Sequence, residues 1–196
     1  EYFEAIERGF AERKEPKAVL FLGSNIGNLD RERAIALLKG VAGYLGPNDR
    51  FLVGFDRKKD PATILRAYND SEGHTREFNL NLLRRMNREL GADFNVDNFI
   101  HVPVYDPCTG RALSYIVSTC AQAVHIPGAK ELFHFRAWES LHTEISQKYD
   151  DAMIDDLARH SGLRITAQFT DSKRYFTDVV FAPQQALTPP NPLSPR

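Results

Sequence analysis

The stretch that decides the fold is Ala18-Val19-Leu20-Phe21-Leu22-Gly23-Ser24-Asn25-Ile26-Gly27-Asn28. Its apolar half predicts a strand buried on both faces, as in a parallel sheet. Gly23-Ser24-Asn25 predicts a tight turn behind that strand, leading into a helix. Small polar groups at the carboxyl end of such a strand lie where open α/β sheets bind ligands. Downstream, Asp30 can cap a helix whose apolar stripe is Ile35, Leu38, Ala42 and Leu45, and Gly46-Pro47 stops it. Phe51-Leu52-Val53-Gly54-Phe55 predicts a second buried strand. Strand, helix and strand in succession are the mark of a parallel α/β unit.

Further out the texture changes. Helices are predicted near 61–69 and 74–90, the second with Phe78, Leu82, Met86 and Leu90 on its apolar face. Strand alternation follows over 99–105, 112–119, 121–126 and 131–136, with Pro107-Cys108-Thr109-Gly110 as a hairpin turn between the first two. Helices followed by antiparallel strands, set behind an α/β unit, predict an inserted α+β domain over residues 59–148. The sheet begun in residues 1–58 resumes in 149–182, with a helix at 150–160 (Met153, Ile154, Leu157) and strands at 163–169 and 175–181. Residues 183–196 carry five prolines and few apolar residues, which predicts a disordered tail. Upstream, Tyr2, Ile6 and Phe10 recur at helical spacing over residues 2–12. A doubly wound nucleotide-binding sheet opens with a strand, a glycine-rich turn and an acidic residue at the end of its second strand. None of these is in the chain, so the first half of such a sheet is expected to be missing.

Composition narrows the function. The chain has 196 residues, 42% apolar and 26% charged, and its net charge is −1. These values suit a soluble domain with a core and give no electrostatic footprint for nucleic acid or anionic membrane. No apolar stretch approaches the roughly 20 residues of a membrane helix and no signal peptide opens the chain, so a cytoplasmic location is expected. Cys108 and Cys120 make no disulfide framework. The six histidines lack metal-ligand spacing, and Asp150, Asp151, Asp155 and Asp156 suit a helix cap and a solvated face, so no metal is expected.

A second polar constellation is His142-Thr143-Glu144-Ile145-Ser146-Gln147-Lys148-Tyr149. In an extended segment Glu144 and Ser146 point to the same side, an anion and a hydroxyl together. Taken alone, each motif also has a plain structural reading. Gly23 to Asn28 is then a strand-to-helix turn, Glu144 and Ser146 are surface groups before a helix, and Tyr68 packs in a core with its hydroxyl at the rim.

The combination resembles the histidine-specific, S-adenosylmethionine-dependent methyltransferase family of ergothioneine biosynthesis. The resemblance runs from about residue 18 to 181. Phe21-Leu22-Gly23-Ser24-Asn25-Ile26-Gly27-Asn28, Lys59-Asp60-Pro61, Ala67-Tyr68-Asn69-Asp70, Phe78-Asn79-Leu80-Asn81-Leu82-Leu83, Asn87-Arg88-Glu89-Leu90-Gly91-Ala92-Asp93-Phe94 and Thr143-Glu144-Ile145-Ser146 carry it. It implies a Rossmann-like class I methyltransferase sheet with an inserted α+β substrate-binding domain, and S-adenosylmethionine as cofactor. It further implies that Asn28 and Tyr68 hold the α-amino and carboxylate end of a histidine substrate and serve catalysis. Glu144 and Ser146 then grip the imidazole, Thr75 lines the same pocket, and Gly23 lies near the methyl group of the cofactor. The expected partner is a small amino acid, with the protein a monomer.

Two departures from the family stand out. Ser114 occupies a position where bacterial members carry methionine beside the imidazole, and a smaller residue leaves room for a larger ring. Fungal relatives methylate indole amino acids, which makes an indole N-methyltransferase the first alternative. The family's glycine-rich cofactor loop and ribose-binding residues have no counterpart here, which makes a non-catalytic fragment or binding module the second.

Overall fold

The computed structural model describes residues 15–129 and 132–184. The helix predicted over 2–12 and the tail from residue 185 lie outside the described residues. Two compact units divide the chain, one built from 1–26, 30–55 and 150–196 and the other from 27–29 and 56–149.

In the first unit, β1 (Ala18–Phe21) and β2 (Arg50–Asp56) pair in parallel, with Ala18 opposite Arg50 and Phe21 opposite Val53. β8 (Leu163–Thr170) and β9 (Phe176–Pro183) pair antiparallel, and the four strands lie in the order β1-β2-β9-β8. Pro183 is the last residue of β9, opposite Leu163, so the chain is ordered past the point where the tail was expected to begin. Two helices accompany the sheet, α1 (Arg31–Ala42) and α4 (Asp151–His160). Each begins at an aspartate whose carboxylate accepts a backbone N–H of the first turn, Asp30 from Arg33 and Asp150 from Met153, which satisfies a donor that the helix itself leaves unpaired.

The α1 stripe sits one residue off the predicted one. Ala34, Leu38 and Val41 are buried, and the helix ends at Ala42, with Leu45 in the turn beyond it. β1 is not buried on both faces, as its apolar run alone predicts, but lies at the edge that a sheet lacking its first half would expose. Among the described residues it has a neighbour on one side, and Leu20 is 60% exposed, with Leu22 just beyond the strand at 49%. The buried strands are β2 and β9, where Phe181 sits 6.4 Å from Phe51 and 6.3 Å from Phe55 between ring centres.

The second unit carries α2 (Pro61–Tyr68) and α3 (His74–Leu90), which pack on an antiparallel sheet. Its strands are β3 (Phe99–Asp106), β4 (Arg111–Ser118) and β7 (Ser140–Gln147), in the order β3-β4-β7. Pro103 fits because β3 is an edge strand. A short hairpin, β5 (Gln122–Val124) with β6 (Phe133–Phe135), completes it. Leu80, Leu83, Phe94, Phe99, Ile116 and Phe135 form the core. The inward face of α3 is rotated from the one its apolar spacing predicted, and of that stripe Met86 packs against the core. Asn79, Leu80 and Leu83 point in, while Phe78 is 67% and Leu90 51% exposed. Hydrogen bonds made by Asn79, described below, help fix that rotation.

The core of the first unit generates a clear expectation. Phe181→Ala should lower unfolding free energy by about 3–5 kcal/mol, because a fully buried ring between two others leaves a cavity. Leu20→Ala, on the exposed edge, should cost under about 0.5 kcal/mol. Urea unfolding of the two variants checks the contrast.

Candidate functional site

The site is built on β7, whose register against β4 is broken once. Gln147, Ser146, Ile145 and Glu144 face Arg111, Ala112, Leu113 and Ser114 in turn, but Tyr115 faces His142. Thr143 is the extra residue of a β-bulge. Its hydroxyl lies 2.6 Å from Asn79 Oδ1 and 3.0 Å from the Ser114 carbonyl, and shares its single proton between these two acceptors. After the bulge, the alternation of the strand sends Glu144 and Ser146 to one side.

Glu144 is half-buried. Its Oε2 accepts a hydrogen bond of 3.1 Å from Asn79 Nδ2, which also donates to the Thr75 carbonyl at 3.0 Å. Asn79 is only 2% exposed, so every polar atom of its amide needs a partner, and each has one. The other carboxylate oxygen of Glu144 takes no hydrogen bond from the described residues and remains available. Beside it a cavity of about 280 Å³ runs between α3 and β7, with Phe78, Leu82 and Arg85 in its wall. Thr75 is held at the start of α3, where Asp70 accepts the backbone N–H of both His74 and Thr75. The hydroxyl of Thr75, first, and then these two N–H groups hold the Asp70 carboxyl well below its ordinary pKa.

Ser146 belongs to a second cluster. The Lys148 ammonium, with its side chain only 3% exposed, lies 2.8 Å from Ser146 Oγ, 2.8 Å from Tyr68 Oη and 2.7 Å from Asp56 Oδ2. Backbone pairing brings these residues together. The chain enters the second unit at Asp56 and leaves it at Tyr149, and the two segments bond through Tyr149 N–H to the Asp56 carbonyl and Lys58 N–H to the Tyr149 carbonyl, both 2.9 Å. From the other side, the Lys148 N–H donates to the Gly110 carbonyl at 2.7 Å. Gly110 has φ +75°, and a Cβ there would sit 2.5 Å from the Lys148 carbonyl oxygen. Both the backbone conformation and the lack of space require glycine.

The sequence-predicted residues fall into distinct places. Lys148 joins Tyr68 to Ser146, and Asn79 joins Glu144 to Thr75. Ser114 is 1% exposed, and its hydroxyl is 3.1 Å from His101 Nε2 on β3. Burial holds the His101 pKa below the usual value, against the opposing pull of the Glu144 and Asp70 carboxylates. Asn28 closes a 3-10 turn (Asn25–Asn28), is exposed, and takes no part in these hydrogen bonds among the described residues. Gly23 lies in the first unit, at φ +73°, and a Cβ there would meet nothing closer than Asn25 Nδ2 at 3.7 Å. Its turn is open on that side. Among the described residues no group of three His, Cys, Asp or Glu side chains could hold a metal ion.

Sequence reasoning missed Lys148, Asp56, Asn79 and His101. A signal existed for the lysine, since Lys148 continues the every-second-residue run of Glu144 and Ser146. An asparagine inside a helix, and an aspartate closing a buried strand, were weaker signals of the same kind.

Known proteins are similar to this chain over most of its length. Residues 1–183 match the family described as histidine-specific methyltransferase, SAM-dependent. A histidine N-alpha-methyltransferase of Mycolicibacterium smegmatis is 38% identical over 156 residues, which cover 79% of this chain and 48% of that protein. Ergothioneine biosynthesis protein 1 of Neurospora crassa is 36% identical over 162 residues, 81% of this chain and 18% of its own length. An L-tryptophan methyltransferase of Psilocybe serbica is 27% identical over 165 residues, 82% of this chain and 45% of its own. The chain thus spans about half the length of the bacterial relative.

The half-buried imidazole of His101 makes a pH prediction. The ordinary histidine pKa is 6.5, and His101 lies below it when folded. As pH falls below 6.5 the unfolded chain takes up a proton that the folded ring resists, so this contribution to stability is present above 6.5 and is lost on acidification. The difference in unfolding free energy between the wild type and His101→Gln should therefore be flat above pH 6.5 and shrink below it, as read by urea titrations at several pH values.

Proposed function

The chain belongs to the histidine-specific, S-adenosylmethionine-dependent methyltransferase family, and from that premise we propose that it forms the substrate-holding part of an enzyme that methylates the α-amino group of L-histidine to the trimethylated product. One observation carries the substrate assignment. Glu144 has one oxygen tethered by Asn79 and the other available, and Ser146 follows two residues later on the same side of β7. An anionic acceptor beside a hydroxyl matches an imidazole, which has one N–H and one bare nitrogen.

The residues would divide the work as follows. Glu144 accepts the imidazole N–H and Ser146 meets the second ring nitrogen, while Thr75 borders the same pocket. Tyr68 and Asn28 hold the carboxylate and the α-amino group, and orient the amine lone pair for an in-line displacement, where positioning is the main contribution. Bound S-adenosylmethionine would supply a methyl group activated by its sulfonium. Of the described residues, the open turn at Gly23 suits the methyl end of that cofactor; no glycine-rich loop or acidic ribose partner accompanies it. We place the protein in the cytoplasm as a monomer acting on a small molecule. No helix among the described residues is long and apolar enough to cross a membrane.

The second reading is an indole amino acid as substrate. It is favoured by the likeness to the L-tryptophan methyltransferase and by the short side chain of Ser114. Glu144→Ala separates the two. In an enzyme containing this chain, loss of the acceptor should cost roughly 1.5–3 kcal/mol in transition-state binding of histidine, about ten- to a hundred-fold in kcat/KM, and raise tryptophan relative to histidine. Equal histidine turnover in mutant and parent would sink the histidine reading. The 196-residue chain by itself should bind S-adenosylmethionine no tighter than about the millimolar range, and a micromolar Kd from calorimetry would contradict the account of its cofactor edge.

A further inference from the structure

We propose that Lys148 is a positioning residue that fixes the direction of two substrate-facing hydroxyls, Tyr68 and Ser146, as hydrogen-bond donors, and so sets the site to take a neutral imidazole in preference to an indole. The proposal rests on the histidine reading above and specifies how the site would read the ring.

An ammonium has three N–H donors and no acceptor. Lys148 Nζ has three oxygen partners within 2.8 Å: Asp56 Oδ2, Tyr68 Oη and Ser146 Oγ. Each donor is engaged, and each hydroxyl oxygen is an acceptor toward the lysine. The proton that each hydroxyl carries must then point elsewhere. In a free serine or tyrosine the hydroxyl rotates to suit its ligand, but here both are committed to donate outward.

That commitment has chemical consequences. Ser146 offers its proton to a ligand acceptor, and the bare nitrogen of a neutral imidazole is one. An imidazolium has none, because both its nitrogens carry hydrogen. An indole ring has a single N–H and no acceptor nitrogen, so it would leave the Ser146 donor unmet. Tyr68, likewise a donor, suits the substrate carboxylate and not the amine, since donation to the amine would occupy the lone pair that attacks the methyl. Glu144, an acceptor, takes the remaining imidazole N–H. The site would hold one ring tautomer, with Lys148 touching neither ring nor backbone of the substrate.

Asp56 keeps the lysine in place. Lys148 is 3% exposed and its neighbour Ser146 is half-buried, so an unpaired ammonium at this depth would be costly. Asp56 also pairs with Lys59, which balances the second oxygen of the carboxylate.

The test uses the 196-residue chain with L-histidine labelled with nitrogen-15 in the ring, and L-tryptophan as competitor. In the wild type, nitrogen chemical shifts of bound histidine should show a neutral ring with one protonated nitrogen, across a pH range where free histidine is partly charged. Lys148→Met should weaken histidine binding roughly ten- to a hundred-fold by calorimetry, the range for a charged hydrogen-bond partner. It should also reduce the preference for histidine over tryptophan by a similar factor and, with Ser146 free to accept, let the bound ring take a second proton. A bound imidazolium in the wild type overturns the proposal, and this measurement needs no variant to fold. So does a Lys148→Met chain that keeps its preference, or one that loses both ligands in proportion, as a merely structural lysine would. Failure of wild-type histidine binding takes down the substrate reading and this inference together, and is distinguishable from the other outcomes because it is read before any substitution.

Discussion

The buried ammonium of Lys148 is the constraint around which the second unit closes. Its pairing with Asp56 joins the residue at which the chain enters that unit to the strand by which it leaves. A charge at this depth is tolerated only with good partners, and removal of one partner from such a pair is far more damaging than the pair is stabilising. Asp56 and Lys148 therefore fix a crossing point more than they add stability. The backbone bonds between Asp56, Lys58 and Tyr149 align the two segments, and the Gly110 turn clamps the far side. The polar atoms of the site inherit their positions from this knot.

The bulge at Thr143 solves a second problem, one of parity. Leu141 must face the core beside Ile116, while Glu144 and Ser146 must lie in the same sheet face farther along. A regular strand sends odd and even residues to opposite sides, so it cannot do both. One inserted residue shifts the alternation, and the core half and the site half of β7 then share a face. Thr143 is stable in that role because its hydroxyl is bound by Asn79 and by the Ser114 carbonyl. Asn79 in turn reaches Glu144. The same asparagine thus supports the bulge and the carboxylate that the bulge re-aims.

These two devices explain what the sequence did and did not reveal. The β1–α1–β2 order, the hairpin at Gly110 and the capping aspartates Asp30 and Asp150 follow local rules, and local rules are legible in a single chain. The face of α3 was not. Its apolar spacing favoured Phe78, Leu82, Met86 and Leu90, of which Met86 packs against the core, yet Asn79 also turns inward, where its amide makes three hydrogen bonds to Thr143, Glu144 and the Thr75 carbonyl. That is a tertiary demand with no periodic trace. Glu144 and Ser146 were legible as a same-side pair, and their family motif is dense. Lys148, Asp56 and His101 act through contacts between residues far apart in sequence, so their pairing had to wait for the fold.

Ser114 shows why hydrogen-bond pattern outweighs size in a site of this sort. From the sequence, a serine in place of a larger residue suggested space for an indole. In the folded chain that serine is buried, with His101 Nε2 on its hydroxyl, so the shortened side chain is covered by another ring and not simply vacant. Even where such a change does free a methylene or two of volume, discrimination by apolar fit is worth only about 1–3 kcal/mol. A site built to hydrogen-bond a ring nitrogen rejects the analogue lacking that partner by far larger factors, roughly 10⁴–10⁵, because the group facing it is then left unpaired. On the reading proposed here, selectivity between imidazole and indole lies with Glu144 and with the Ser146 proton that Lys148 directs, and substitution at position 114 would adjust it at the margin.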